Sequence, residues 1–196
     1  MSGFKRICVF CGSSVGARPA YTAAARELGR TLAEKGVGIV FGGGKVGLMG
    51  VLADAALVSG GEVIGVIPEA LVAREIGHSG LTKLHVVRCM HERKTLMADL
   101  AEAFIALPGG YGTFEEFFEA VTWTQLGIHN KPCGLLNVDG YYDALLAQLQ
   151  RAVADGFILE KNRGLIFDAP HVGALLQKLA AVHPPAAELG ISKAER

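Results

Sequence analysis

The sequence predicts an α/β protein with a Rossmann-like, doubly wound parallel sheet in one domain. Three observations carry that prediction. Short aliphatic and β-branched runs alternate with stretches whose apolar residues recur at helical spacing. Glycine-bearing turns follow the runs at 7–10, 37–41 and 103–107. Hydrophobic residues make up 51% of the 196, enough for a substantial core. Strand–helix alternation implies right-handed crossovers and a sheet covered on both faces.

The elements follow in order. Residues 7–10 (Ile7, Cys8, Val9, Phe10) read as a buried strand closed by Gly12, Ser13 and Ser14. Tyr21, Ala25, Leu28 and Leu32 mark one helical face across 18–35, with Pro19 suited to its first turn and Gly36 to its stop. A second strand at 37–41 leads into the turn Gly42-Gly43-Gly44-Lys45-Val46-Gly47 and a helix at 48–58. Strands are predicted at 63–67 and 84–87, joined by a longer loop that begins at Pro68 and carries Glu75 and His78. A helix at 90–100 precedes a fifth strand at 103–107. Pro108-Gly109-Gly110-Tyr111-Gly112 then opens a helix at about Thr113. A strand at 133–138, a helical face from Tyr142 to Val153, a short strand at 165–167 and a helix through Val172 and Leu179 complete the pattern. The domain is assigned to 1–182 and a flexible tail to 183–196.

Charge and composition narrow the functional classes. Lys and Arg number 19 and so do Asp and Glu, a balance that argues against a nucleic-acid polymer or a polybasic membrane contact. No apolar run reaches the ~20 residues of a membrane span. The apolar stretch after Lys5 and Arg6 is too short for a signal-peptide core. Four cysteines in a chain this long do not form a disulfide framework, so a reduced, cytoplasmic protein is expected. Cys8 and Cys11 lie mostly within a strand, where residues three apart face opposite ways. They read as structural thiols, and no metal site is expected.

In a doubly wound sheet, ligands bind beyond the carboxyl ends of the strands where strand order reverses. The three glycine turns sit at such ends. Gly42-x-Gly44-x-x-Gly47 formally matches a dinucleotide fingerprint, but it follows the second strand rather than the first. A structural turn and a phosphate cradle of backbone N–H groups both fit it. The turn at Gly109 allows close backbone approach to a ligand and then presents a helix N-terminus. Thr113-x-x-Glu116 also fits a capping box, which would tie Glu116 to the Thr113 N–H. Met90-His91-Glu92-Arg93-Lys94 puts two cations in a first helical turn, where the dipole disfavours them. Either a bound anion or solvent exposure accounts for that placement.

These motifs, in this order, resemble the LONELY GUY (LOG) family. Its members are cytokinin riboside 5′-monophosphate phosphoribohydrolases that long carried the label of possible lysine decarboxylases. The resemblance runs from about Lys5 to about Leu179 and includes Gly47-Leu48-Met49-Gly50 and the segment from Thr122 to His129. It implies a Rossmann-like fold and hydrolysis of a nucleoside 5′-monophosphate to free base and ribose 5-phosphate, with no cofactor. It also implies a homodimer or larger oligomer. The family's essential pair falls on Arg93 and Glu116. Its substrate-binding positions fall on Glu75, Lys94, Gly109, Gly110, Tyr111, Gly112, Thr113, Phe114, Glu115 and Thr122. Ser13, Gly43, Gly44 and Met90 are further candidates for phosphate or ribose contacts. Two rival readings stand beside this one: a nucleotide-binding module without catalysis, and an NAD(P)-dependent oxidoreductase resting on the Gly42 fingerprint alone.

Overall fold

The computed structural model describes residues 3–72 and 77–182. The chain runs β1 (Arg6–Phe10), α1 (Pro19–Glu34), β2 (Gly38–Phe41), α2 (Gly47–Val58), β3 (Val63–Pro68), α3 (Glu69–Val72) and β4 (Lys83–Val87). It continues with α4 (Met90–Leu100), β5 (Ala103–Ala106), α5 (Tyr111–Gln125), β6 (Cys133–Leu136), α6 (Asp143–Ala154), β7 (Ile166–Ala169) and α7 (Val172–Ala180). Short 3-10 turns occupy Val138–Gly140 and Glu160–Leu165.

All seven strands are parallel, in the order β4-β3-β2-β1-β5-β6-β7. The predicted doubly wound sheet is therefore present. Its order reverses between β1 and β5, which places the switch point at the turns after those two strands.

Side-chain alternation along β1 explains the two layers. Ile7 and Val9 face a core built with α1, α2 and α7, where Leu28, Leu52 and Leu175 are fully buried. Cys8 and Phe10 face a second core with α4 and α5, where Met97 and Phe117 are buried. Each such side chain taken out of water contributes roughly 1.5–3 kcal/mol. Cys8 and Cys11 fall into these opposite cores, as the strand period requires.

Pro19 opens α1, and Gly36 follows its end in the left-handed conformation, both as the sequence predicts. Three local expectations need correction. The segment after β3 is not all loop, because Glu69–Val72 forms a helical turn. The sixth strand stops at Leu136, where a turn with Asp139 at φ 51 takes over, and the seventh lies at Ile166–Ala169 rather than 165–167. Helix α5 starts at Tyr111, two residues before the predicted start, because Gly110 adopts the extended cap conformation. Glu75 and the 183–196 tail lie outside the described residues.

Register brings the glycine turns together. Val9 pairs with Phe41, and Phe10 with Ala106, so β1, β2 and β5 end nearly level. The Gly12 N–H donates to the Pro108 carbonyl at 3.1 Å, and the Leu48 N–H donates to the Gly12 carbonyl at 3.0 Å. These bonds fasten the turns after β5 and β2 to the turn after β1. Gly47, at φ 62, lies against the Ser13–Ser14 backbone with no room for a Cβ.

Candidate active site

Helix α4 returns from edge strand β4 to β5 across the face of the sheet, packing on β3, β2 and β1. Its first turn therefore comes to lie beyond the ends of β2 and β3, and Arg93 points inward there. Arg93 is 8% exposed, so the exposed reading of this cation does not hold. Its Nε donates to the Val66 carbonyl at 3.0 Å, and its Nη1 lies 2.6 Å from Glu116 Oε1. Gly42 explains how the guanidinium fits. A Cβ at that position would overlap Nη2.

Glu116 reaches Arg93 from α5, its side chain 11% exposed. This overturns the capping-box reading. With α5 starting at Tyr111, Thr113 is the third residue of the helix rather than its cap, and it is buried. Gly110 supplies the cap, its carbonyl accepting the Phe114 N–H at 3.1 Å. Glu116 is thus one turn too far along to return to the start of the helix. Its Oε1 meets the guanidinium as a close ion pair. Burial pushes the Glu116 carboxyl above the usual glutamate range, and the Arg93 charge opposes but does not cancel that push.

Lys94 binds the same two helices together. Its Nζ lies 2.5 Å from Glu115 Oε1 and 2.9 Å from Glu119 Oε1. Burial lowers the Lys94 pKa, but the two carboxylates more than reverse this and hold the ammonium charged. A small cavity behind Glu116 is lined by Lys94, Glu119, Phe10, Phe104 and Trp123. The sequence reading missed Glu119, although its position four residues after Glu115 on one helical face is a usable signal.

At the switch point, residues 12–16, Pro108, Gly109, Gly110 and Tyr141 border a cavity of about 240 Å³. Ser13 is exposed on its rim. The first three N–H groups of α5, from Tyr111, Gly112 and Thr113, have no acceptor within the helix. Tyr111 is 94% exposed at that helix start, and Phe114 packs edge-on against Tyr142. Met90 stands exposed at the start of α4, its Sδ 4.0 Å from Arg93 Nη1. Gly43 and Gly44 are buried and engaged with the segment that follows α3. The Gly43 carbonyl accepts the His78 N–H at 2.9 Å, and Gly44 forms an antiparallel bridge with Gly77.

Thr122 is the described candidate that the chain does not bring to this place. It lies on the outer side of α5, its hydroxyl donating to the Phe118 carbonyl at 2.7 Å. There it borders a groove of about 580 Å³ with Val121, Leu146, Leu149 and Ile158.

Comparison with known proteins places the chain in a family. The family described as possible lysine decarboxylase matches residues 49–179. Cytokinin riboside 5′-monophosphate phosphoribohydrolase LOG7 of Arabidopsis thaliana is 52% identical over 183 residues, covering 93% of this chain and 84% of that protein. The enzyme LOG of Oryza sativa subsp. japonica, with the same activity in its name, is 50% identical over 190 residues, covering 97% and 78%. Among solved structures, a molybdenum cofactor binding protein from Rippkaea orientalis superposes with a TM-score of 0.67 at 23% identity, over 88% of this chain and 93% of that one. That last likeness shows the fold alone. Extensive identity to the plant enzymes, over nearly the whole chain, establishes that this chain belongs to the LOG family of phosphoribohydrolases.

Proposed function

We propose that the protein hydrolyses the N-glycosidic bond of adenosine 5′-monophosphate and its N6-modified forms, releasing the free base and ribose 5-phosphate. The observation that carries this reading is the buried Arg93–Glu116 pair beside the glycine turns. Cleavage of the bond to C1′ builds positive charge on the ribose. A carboxylate ~4 Å from that charge attracts it by about 4 kcal/mol at an effective dielectric of 20. We assign Glu116 to this role or to orienting the attacking water and the ribose hydroxyls. Arg93 cannot donate a proton at ordinary pH. It holds Glu116 in place and supplies fixed positive charge for the phosphate or ribose oxygens.

The first turn of α5 supports a phosphate site. Its N–H groups and helix dipole favour an anion, though the dipole alone contributes only ~0.3–1 kcal/mol. Gly109, Gly110, Tyr111, Gly112, Thr113, Phe114 and Glu115 form this binding segment, with Ser13, Gly43, Gly44 and Met90 around it. Lys94 acts here through Glu115, the carboxylate it holds. The reading includes a homodimer or larger oligomer, and Thr122 takes part in substrate binding only if another copy is brought to the α5–α6 groove. Overall hydrolysis consumes one water and needs no redox partner.

The dinucleotide reading loses its support from the fold. The Gly42 turn follows β2, one strand away from the switch point, and Gly42 itself packs on Arg93. The test is to incubate the protein with AMP and with isopentenyladenosine monophosphate and follow base release by chromatography, with Glu116→Ala as control. Release that vanishes in the control supports the reading, and the rate ratio gives the preferred base. Tight nucleotide binding without release would replace it with a binding module.

A further inference from the structure

The turn between β5 and α5 has an asymmetry in its backbone. Each carbonyl from Leu107 to Gly110 has a partner. Leu107 O accepts the Tyr142 hydroxyl at 2.6 Å, and Pro108 O accepts the Gly12 N–H at 3.1 Å. Gly109 O accepts the Tyr141 hydroxyl at 2.5 Å, and Gly110 O accepts the Phe114 N–H at 3.1 Å. On the other side, no acceptor among the described residues takes the N–H of Gly109 or Gly110, nor those of Tyr111, Gly112 and Thr113. The carbonyl side is closed and the N–H side is open.

Gly109–Gly110 is the vulnerable peptide. Two glycines tolerate both signs of φ, so this unit can turn over with little steric resistance. Because the peptide is planar and trans, its C=O and N–H point in opposite directions. Turning over would put the Gly109 carbonyl where the Gly110 N–H had been, replacing a donor with an acceptor that repels an anion. Among the described residues, the one side chain holding this carbonyl is Tyr141.

Tyr141 is itself firmly mounted. It follows a tight turn in which Asp139 (φ 51) and Gly140 (φ 70) are both left-handed. Asn137 closes that turn, its Oδ1 accepting the Tyr142 N–H at 2.7 Å and its Nδ2 donating to Asp143 at 2.8 Å. The rings of Tyr21 and Tyr142 pack edge-on against the Tyr141 ring at centroid distances of 5.5 and 4.9 Å. A non-glycine residue in the left-handed region is sparsely populated and persists only where its surroundings fix it.

We propose that Tyr141 is a positioning residue for the phosphate end of the substrate: its hydroxyl latches the Gly109–Gly110 peptide with the Gly110 N–H available to the anion. This rests on the phosphate site read above for the start of α5. Tyr142 provides an internal contrast. It donates an equivalent hydrogen bond to the same turn, but the peptide it holds ends in Pro108, which has no N–H to present. Tyr142 is a structural support, and Tyr141 is a latch on a donor.

The experiment compares Tyr141→Phe with Tyr142→Phe. Calorimetry gives the Kd of each for ribose 5-phosphate, and steady-state kinetics with AMP gives kcat and KM. Loss of one such hydrogen bond corresponds to a roughly threefold to tenfold effect. Tyr141→Phe is expected to weaken ribose 5-phosphate and raise KM by that factor, with a smaller change in kcat. Tyr142→Phe is expected to lower Tm while leaving the ribose 5-phosphate Kd within about twofold of wild type. Equal affinity in Tyr141→Phe and wild type overturns the latch, and so do equal losses in both variants. Wild-type protein that hydrolyses AMP but does not bind ribose 5-phosphate overturns the phosphate reading beneath it and leaves the enzyme assignment standing. A second measurement needs no variant: ribose 5-phosphate should slow hydrogen exchange at the amides of residues 110–113 in the wild type. Unchanged exchange at saturating ligand counts against the proposal.

Discussion

Arg93 Nη1 stands 2.6 Å from Glu116 Oε1, although the two residues belong to helices separated by strand β5 and a glycine turn. Both side chains are about nine-tenths buried. The sheet order makes this meeting possible by carrying α4 over β3, β2 and β1 until it lies beside α5.

Removing either partner strands the other charge. Arg93→Ala and Glu116→Ala are each expected to abolish base release and to lower unfolding stability by about 3–5 kcal/mol, the cost of breaking a buried pair. The double variant should lose less than the sum of the two, since no unpaired charge remains. Denaturant unfolding of all four proteins checks this. Near-normal turnover by either single variant would remove these residues from the reaction.

The acid limb of activity should report Glu116. Burial holds its carboxyl above the usual glutamate range, and it must be ionised to stabilise positive charge on the ribose. Activity should therefore fall with decreasing pH at values above the ordinary glutamate pKa of about 4.3. The Arg93 charge pulls in the opposite direction, so the Glu116 carboxyl should titrate at still higher pH in Arg93→Met. A pH profile of kcat/KM for the wild type and a carboxyl NMR titration of Glu116 in both proteins check the two signs, and a Glu116 titration that moves downward in the variant contradicts the assignment.

Gly42 is predicted to be intolerant for a reason unrelated to its backbone conformation. A Cβ there overlaps Arg93 Nη2, so Gly42→Ala must displace the guanidinium from Glu116. A shift of about 1 Å in a catalytic group can lower the rate about 100-fold. The expected result is a folded protein with a Tm below wild type, because the buried pair is disturbed, and base release reduced by roughly that factor. Wild-type rates in Gly42→Ala would show that the guanidinium position is not critical.

Thiol chemistry should single out one cysteine. Cys8, Cys11 and Cys133 are buried, and burial pushes their thiols up, Cys133 to about 12. Cys89, the cap residue before α4, is exposed. Iodoacetamide at pH 8 should therefore label Cys89 alone in the native protein and all four cysteines after denaturation, as peptide mass mapping would show. Labelling of Cys8 or Cys11 in the folded state would contradict their placement in opposite cores.

Much of the architecture was legible because it depends on local periodicity. Ile7, Val9 and their neighbours alternate as a strand must, and Tyr21, Ala25, Leu28 and Leu32 recur as a helix must. Pro19 and Gly36 mark both ends of α1 by their own backbone chemistry. The less legible points were boundaries and partners. Thr113 and Glu116 have capping-box spacing, yet a glycine cap two residues earlier shifts the helix start and frees Glu116. Spacing along the chain cannot register that shift, because Gly110 and Thr113 both satisfy local rules for a helix start.

The alternating elements, the glycine turns at the strand ends and the motifs shared with the LOG family were all legible along the chain. These follow from nearest-neighbour conformational preferences and from a set of motifs in fixed order. Tertiary structure decided that Arg93 is buried rather than solvated, that Glu116 pairs with it, and that Thr122 lies on a different surface of α5. It also decided that Tyr141 holds Gly109 from 32 residues away. The Arg93, Glu116 and Tyr141 contacts join distant segments, formed only once the parallel sheet brings the ends of β1, β2, β3 and β5 together and the low-dielectric interior makes pairing of the buried charges obligatory.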